Sequence, residues 1–420
     1  MLKTLSCIVK NDDIIDRMLH DSLVLYDQIL YYQRKKFFET RDSGKVVTYS
    51  YNQLWEIVKN TDTFKNIKLD NNVKQYVIRQ IAKVWKGYME SVKSYKKNNS
   101  LFTGKPKLPN YLYKRKNFNI IYIDNTRFKK RNPDENSLMV PCSNYKIYIP
   151  KQIKLKDVRQ ISIQKFYGKT KINFIYEDKE VIRNKYDENS AIGIDLGVNN
   201  LCAITSNDKR ISYVINGRPL KSINQFYNKK LAKLKSQLEI CNSKKTSKQI
   251  ERLHEKRHNK ILNYFHNVSK RIIDICLENN IETIVIGHSK GWKQNCNIGK
   301  VNNQNFMQIP FNILIDQIKY KASKYTDLKV ICTEESYTSK CDHLAKEEMR
   351  HHDVYLGSRV KRGLFKSSIG KTLNADINGA IGMLRKANAI TDEQLMLLRD
   401  RGDVVSPMML NLLTHKHLYK

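Results

Sequence analysis

Three absences narrow what this 420-residue chain can be. It lacks paired cysteines: eight are scattered along it, and no two stand in a C-x-x-C arrangement. In the intracellular setting expected here, such cysteines are mostly buried thiols rather than a disulfide framework. It also lacks any apolar run near the roughly 18 residues that span a bilayer. The opening MLKTLSCIVKNDDIID returns to charge too soon for a signal-peptide core, so no membrane association is expected. Finally, it is short of acid: 41 Asp and Glu face 76 Lys and Arg, a formal net charge of +35. Self-repulsion on that scale opposes compaction unless a polyanion relieves it, and nucleic acid is the polyanion expected.

What is present divides the chain. Residues from about 15 to 100 read as helical: Val77, Ile81, Val84, Trp85, Tyr88, Met89 and Val92 recur at helical spacing, with Arg79, Lys83, Lys86 and Lys93 largely on the other face. Two prolines and a glycine then break the helix within SYKKNNSLFTGKPKLPNYLYKRKNF, where basic residues interleave with aromatics. Basic groups neutralise phosphates and aromatic faces stack on bases. Lys105, Lys107, Tyr111, Lys114 and Arg115 are therefore candidate nucleic-acid contacts; the bland alternative is a charged linker. Over 116–185 the periodicity shortens towards two, as in a small β-barrel to which residues 1–14 add a strand.

Residues 186–386 alternate strands and helices, the pattern of a mixed α/β domain. AIGIDLGVNN and LCAIT are strands, 218–280 a helical insertion, IETIVIG a strand again, and Pro310 opens a helix. LKVICTEE is a further strand, 338–372 a polar insertion, and a helix begins around Asp376; 387–420 is a tail with weak helical signals.

Three acidic positions fall at element ends: Asp195, the pair Glu334–Glu335, and Asp376. Converging carboxylates repel and need counter-ions, and Mg²⁺ prefers oxygen ligands, commonly one or two carboxylates with substrate phosphate. A pair of such ions activates water and stabilises the leaving oxygen in phosphodiester hydrolysis. Singly, each acid has a plainer reading: Asp195 a turn former, Asp376 a helix cap, Glu334–Glu335 a solvated strand end. GIDLG also resembles the first phosphate loop of actin-like ATPases, but the second loop of Asp-x-Gly-x-Thr type and a Gly-rich adenosine segment are both missing.

IGIDLGVNNLCAIT resembles the first RuvC motif of the TnpB and Fanzor nucleases, relatives of type V CRISPR effectors. YTSK (Tyr337–Lys340) and NADINGAIGML (Asn374–Leu384) resemble their later motifs, and GKPKLPNY (Gly104–Tyr111) the junction between recognition lobe and wedge barrel. The likeness runs from about residue 20 to 385. It implies a multidomain chain of α/β and α+β character: a helical recognition lobe (15–115), a β-barrel wedge domain (116–185 with 1–14), and an RNase H-like RuvC domain (186–386) with its helical insertion. It implies an RNA-guided DNA endonuclease, monomeric with its guide RNA, that cuts double-stranded DNA. Base pairing would supply sequence, and the protein would read a short flanking motif. The expected compartment is the nucleus for a eukaryotic or viral host, and cytoplasm or nucleoid for a prokaryotic one.

The resemblance assigns catalysis and two Mg²⁺ ions to Asp195, Glu335 and Asp376. It departs from the family pattern twice. Gly287 stands near where most TnpB proteins carry a glutamate; Glu335, two residues before Tyr337, matches the relocated glutamate of Fanzors, with Glu334 as runner-up. The usual four-cysteine zinc module is reduced to Cys341, with His343, His351 and His352 as conceivable substitutes. Structural zinc is not expected, and 338–372 reads as a degenerate basic loop touching nucleic acid. Asn378 is expected to brace its helix. The rival functions are a nuclease-inactive RNA-guided DNA-binding regulator and a DDE-type transposase.

Overall fold

The computed structural model describes all residues except 1, 43, 45, 114–117, 133–135, 179, 243–245, 289–298 and 413–420. The chain divides into two compact units, Met1–Lys179 and Glu180–Lys420.

The first unit begins with β1 (Leu2–Val9), followed by α1 (Asp13–Asp42), α2 (Tyr51–Val58), α3 (Asp62–Asn66) and α4 (Asn71–Lys97). Helix α4 starts where the Asp70 carboxylate accepts from Asn72 N at 2.8 Å, satisfying one of the free N–H groups of the first turn. Its apolar stripe buries Val73, Val77, Ile78, Ile81 and Trp85. The later members of that stripe meet Leu25, Ile29, Phe37 and Leu54 in one helical core. The strands are β2 (Ile121–Asp124), β3 (Lys129–Asn132), β4 (Ser137–Met139), β5 (Lys146–Tyr148), β6 (Val158–Phe166) and β7 (Lys169–Glu177). They pair as a four-stranded sheet, β1-β7-β6-β2, and a three-stranded sheet, β3-β4-β5. Both sheets contribute to one core containing Ile123, Leu138, Ile147, Ile161 and Phe174. Among the described residues no strand pairing closes these sheets into the single barrel expected from the periodicity. The short β3–β5 strands meet one another instead.

The second unit opens with an antiparallel meander, β8 (Asp187–Leu196), β9 (Asn200–Ser206) and β10 (Ser212–Asn216). A helical hairpin follows, α5 (Arg218–Asn242) and α6 (Lys248–Glu278), before β11 (Ile281–Gly287) returns beside β8 in parallel. Next come α7 (Lys300–Met307), α8 (Phe311–Ala322) and β12 (Lys329–Thr333), the last parallel to β11. A small antiparallel sheet, β13 (Ser358–Lys361), β14 (Leu364–Lys366) and β15 (Thr372–Asn374), leads into α9 (Ala375–Lys386). The chain continues through α10 (Asp392–Leu398), α11 (Gly402–Val405) and β16 (Met408–Leu410). The central sheet has the order β12-β11-β8-β9-β10-β16.

Two features differ from the sequence-based expectation. The tail is not merely weakly helical, because β16 adds a parallel edge strand to β10. The 338–372 segment is not an open loop: it carries most of a three-stranded sheet, with Phe365 and Leu373 buried. No described helix is long and apolar enough to cross a membrane.

Candidate active site

The central sheet has helices on both faces, and strand alternation decides which side chains meet which layer. Ile192, Ile194 and Leu196 of β8 pack into the core shared with α6 and α8. Ala191, Gly193 and Asp195 face α9. Helix and strand approach closely there: a Cβ on Gly193 would lie 2.2 Å from the Ala380 carbonyl oxygen, and one on Gly379 would lie 2.7 Å from Asp195 Oδ2. Only glycine on both elements lets the α9 backbone press against β8 and the Asp195 carboxylate.

Asp376 enters from the first turn of α9. It does not cap the helix: Asn374 is the cap, its side-chain oxygen accepting from Asp376 N at 3.0 Å and Ile377 N at 3.3 Å. The Asp376 carboxylate is left to face a cleft of about 240 Å³ lined by Asp195, Asn200, Arg359, Arg362 and Gly363. Asn200 Nδ2 donates to its Oδ2 at 2.6 Å, and Arg359 Nη2 to its Oδ1 at 3.2 Å.

Glu335 follows β12, whose Thr333 pairs with Gly287 of β11. A Cβ placed on Gly287 would lie 2.9 Å from Glu335 Cγ. The glutamate stem therefore passes over the position that the glycine leaves open. YTSK turns the chain immediately afterwards. Tyr337 takes a left-handed φ of 67°, and the Thr338 hydroxyl donates to the Glu335 carbonyl at 2.7 Å, holding that backbone. Glu334 has a different fate: its side chain is 64% exposed, accepts from the Ser336 hydroxyl and lies 3.6 Å from Lys386 Nζ.

These surroundings set the electrostatics. Withdrawal from water raises Asp195 well above the ordinary carboxylate range; the negative charges of Glu335 and Asp376 add to this and Arg359 opposes it. Burial raises Glu335 to about 7, against a lowering influence from Lys386. The folded protein thus keeps a proton on Glu335 that the unfolded chain releases from about pH 4.5, the ordinary value, upward. The associated stability is complete below that value and is lost as pH rises through about 7. With metal chelated, the melting temperature of wild type is expected to fall relative to Glu335→Gln between pH 4.5 and 7.5. Parallel melting curves across that range would mean that Glu335 sits in water.

Among the described residues no three His, Cys, Asp or Glu side chains form a ready-made metal cage. The donors present are carboxylate oxygens, and the negative charges of Glu335 and Asp376 raise the proton affinity of Asp195. That set fits a hard cation sharing its coordination with water and phosphate, as Mg²⁺ does, and does not fit a closed structural site.

Sequence reasoning missed Asn200, Arg359 and Arg362. The only sequence signals for them were the polar turn after Asp195 and the basic run SRVKRGLFKSS. It also missed what organises residues 341–374. The buried Asp342 carboxylate accepts from Ser367 Oγ at 2.8 Å, Ser368 N at 2.7 Å, Ser368 Oγ at 3.0 Å and Ala345 N at 3.2 Å. Glu347 accepts from Asp342 N at 2.6 Å and Leu356 N at 2.8 Å. The conceivable zinc donors are engaged separately. Cys341 Sγ reaches the Glu348 carbonyl at 3.5 Å, the His343 ring lies between the Thr338 carbonyl and Arg385, and His352 Nε2 meets the Glu348 carbonyl at 2.7 Å. His351 stands edge-on to Tyr337. Asn378 is buried and donates to the Cys341 carbonyl at 2.9 Å, tying α9 to this segment.

In the first unit, residues 109–113 are tied to α1. Arg34 Nη1 donates to the Pro109 carbonyl at 2.7 Å, and Asp27 accepts from Leu112 N at 2.7 Å. Lys105 and Lys107 are exposed. Tyr111 is not an open ring: it packs at the edge of the helical core with the Arg34 guanidinium 5.3 Å from its centroid. Tyr113 is 59% exposed. Lys114 and Arg115 lie outside the described residues.

Comparison with known proteins adds to this geometry. Residues 173–293 match a family described as "Probable transposase" (OrfB_IS605), and residues 311–383 match the Cas12f1-like TNB domain. The chain is 23% identical over 406 residues to the TnpB-like protein ORF457 of Acidianus two-tailed virus, spanning 88% of this chain and 82% of that one. Its fold resembles that of Cas12f1 solved by cryo-EM in complex with sgRNA and target DNA. The TM-score is 0.53 at 14% identity, over 88% of this chain and 82% of that one.

Proposed function

We propose that this chain of the TnpB family is an RNA-guided DNA endonuclease whose cutting centre is formed by Asp195 and Asp376 in the cleft with Glu335 close to Asp195. The observation that carries the reading is a buried carboxylate, Asp195, in the negative field of Glu335 and Asp376 within an otherwise basic protein. Burial raises the proton affinity of Asp195 and Glu335, and a cation bound there would offset the negative charge that burial penalises. Asp195, Glu335 and Asp376 would hold Mg²⁺, which when bound supplies an activated water and neutralises charge developing on the phosphate.

The remaining work falls to this chain's own residues. Burial keeps the Asp195 carboxylate desolvated, which strengthens its attraction for a cation. Asn200 orients one oxygen of Asp376. Arg359 and Arg362, on the β13–β14 hairpin at the cleft, supply positive charge for the strand's phosphates. Arg359 pairs with Asp376; a phosphate in the cleft would compete for that guanidinium and release the carboxylate. We assign the two sheets of the first unit to the wedge role, the six-stranded domain to the RNase H-like RuvC role, and residues 338–372 to contact with target strand without zinc. One copy of the chain is taken to serve one guide.

The test is purification followed by sequencing of bound RNA, then incubation of the complex with matching duplex DNA and Mg²⁺. A discrete RNA and guide-directed cutting are expected. Tight, guide-directed binding without any nick would make the protein a regulator, and the absence of a discrete RNA would favour a transposase. Lys107→Ala is expected to lower the salt dependence of nucleic-acid binding by about one unit of the log–log slope. An unchanged slope would remove Lys107 from the interface.

A further inference from the structure

The helical hairpin α5–α6 holds a cleft of about 290 Å³ lined by Ser222, Phe226, Tyr227, Lys256, Arg257 and Lys260. It lies apart from the nuclease cleft, and Ile223 and Leu253 complete its lining where it meets the apolar core. Phe226 is 65% exposed, whereas its neighbour Tyr227 is held in place. The Tyr227 hydroxyl meets His254 Nδ1 at 2.9 Å, and the Arg257 guanidinium lies 4.8 Å from the ring centroid. Arg257 is in turn fixed by Asn224 Oδ1 at 2.7 Å and the Gln308 carbonyl at 2.9 Å. The result is a rigid aromatic and guanidinium wall with an exposed phenyl ring beside it. Lys256 and Lys260 stand one helical turn apart on α6, both exposed and neither with an acidic partner among the described residues.

An exposed ring beside a planar, preorganised wall suits the flat face of a nucleobase, and a pair of unpaired lysines suits the phosphates on either side. An apolar protein partner would leave those lysines uncompensated. The position in the fold selects the strand. Helix α6 packs on the face of the sheet that carries Ile192, Ile194 and Leu196, whereas Asp195 and α9 occupy the opposite face. A nucleotide held here lies on the face of the sheet opposite Asp195, a position that favours the guide over the strand being cut.

We infer that the α5–α6 cleft stacks an unpaired base of the guide RNA on Phe226, with Lys256 and Lys260 on its flanking phosphates. This rests on the guide-RNA reading but not on catalysis.

The probe is the RNA that copurifies with the Asp195→Ala protein, irradiated at 254 nm in the presence of target DNA, with adducts identified by mass spectrometry. A ribonucleotide adduct on the peptide containing Phe226 is expected. It should fall at least fivefold in Phe226→Ala and be retained in Phe226→Tyr. Because Phe226 is exposed, its replacement leaves the core intact, and an unchanged circular dichroism spectrum checks this. A deoxyribonucleotide adduct alone, or adducts elsewhere in the protein but none at this peptide, overturns the inference. An Asp195→Ala complex that gives the adduct while wild type never cuts DNA leaves this inference standing and defeats the nuclease reading; an active wild type with no adduct does the reverse.

Discussion

With guide RNA and Mg²⁺ supplied, Asp195→Ala and Glu335→Gln are expected to bind target DNA as wild type does and to cut it on the order of 10³-fold more slowly, or not at all. Cation-assisted charge stabilisation contributes several kcal/mol, and each 1.36 kcal/mol is about tenfold in rate. Glu335→Gln keeps the side chain's size and its path over Gly287, so the change is one of charge. The decisive control is Glu334→Gln, expected to cut within about twofold of wild type because that carboxylate is exposed and engaged with Ser336 and Lys386. Loss of cutting in Glu334→Gln with retention in Glu335→Gln would reverse the assignment. Gly287→Glu is expected to disturb the site when Glu335 is present, since its Cβ would lie 2.9 Å from Glu335 Cγ and 2.7 Å from Met383 Sδ. One carboxylate stem fits at this point, from one strand or the other.

The second large effect concerns Asp342. Asp342→Ala is expected to lower stability by about 3 kcal/mol or more. It strips a charged acceptor from the Ser367 hydroxyl, the Ser368 N–H and the Ala345 N–H at once, and each buried donor left unmade costs about 1–3 kcal/mol. The damage should reach the active site, because β15 leads directly into α9 and Ala375 N donates to the Gly363 carbonyl at 3.1 Å. Thermal unfolding and limited proteolysis would read this as a lower melting temperature and new cleavage between residues 341 and 374. Cutting of DNA should fall as well. Added Zn²⁺ should restore none of these. Stoichiometric zinc in the purified wild type, with collapse of this segment on chelation, would show instead that metal holds it.

Much of the architecture was legible because it follows from periodicity. The α6 stripe from Ile250 to Cys276 and the apolar IETIVIG each correspond to an element of the structure. The tail was less legible, since a three-residue edge strand such as β16 gains its meaning only from β10 beside it. The pairing of the first unit's strands was illegible for a related reason: alternation announces strands but not which of them pair. Tyr111 belonged to an aromatic–basic pattern, and that Arg34, far from it in sequence, stands 5.3 Å from its ring centroid could not be read from that pattern.

By itself, the sequence determined the large excess of positive charge, +35, and the positions of three acids at the ends of apolar elements. Composition and local period carry that information without reference to distant contacts. Tertiary structure decided which of two adjacent glutamates turns inward, that Asn374 rather than Asp376 caps α9, and that Asp342 gathers a segment lacking its paired cysteines. It also decided that Asn200 and Arg359 meet on Asp376. These outcomes depend on close approach between elements remote in the chain, and the glycines at 193, 287 and 379 permit it by leaving room that no side-chain pattern records.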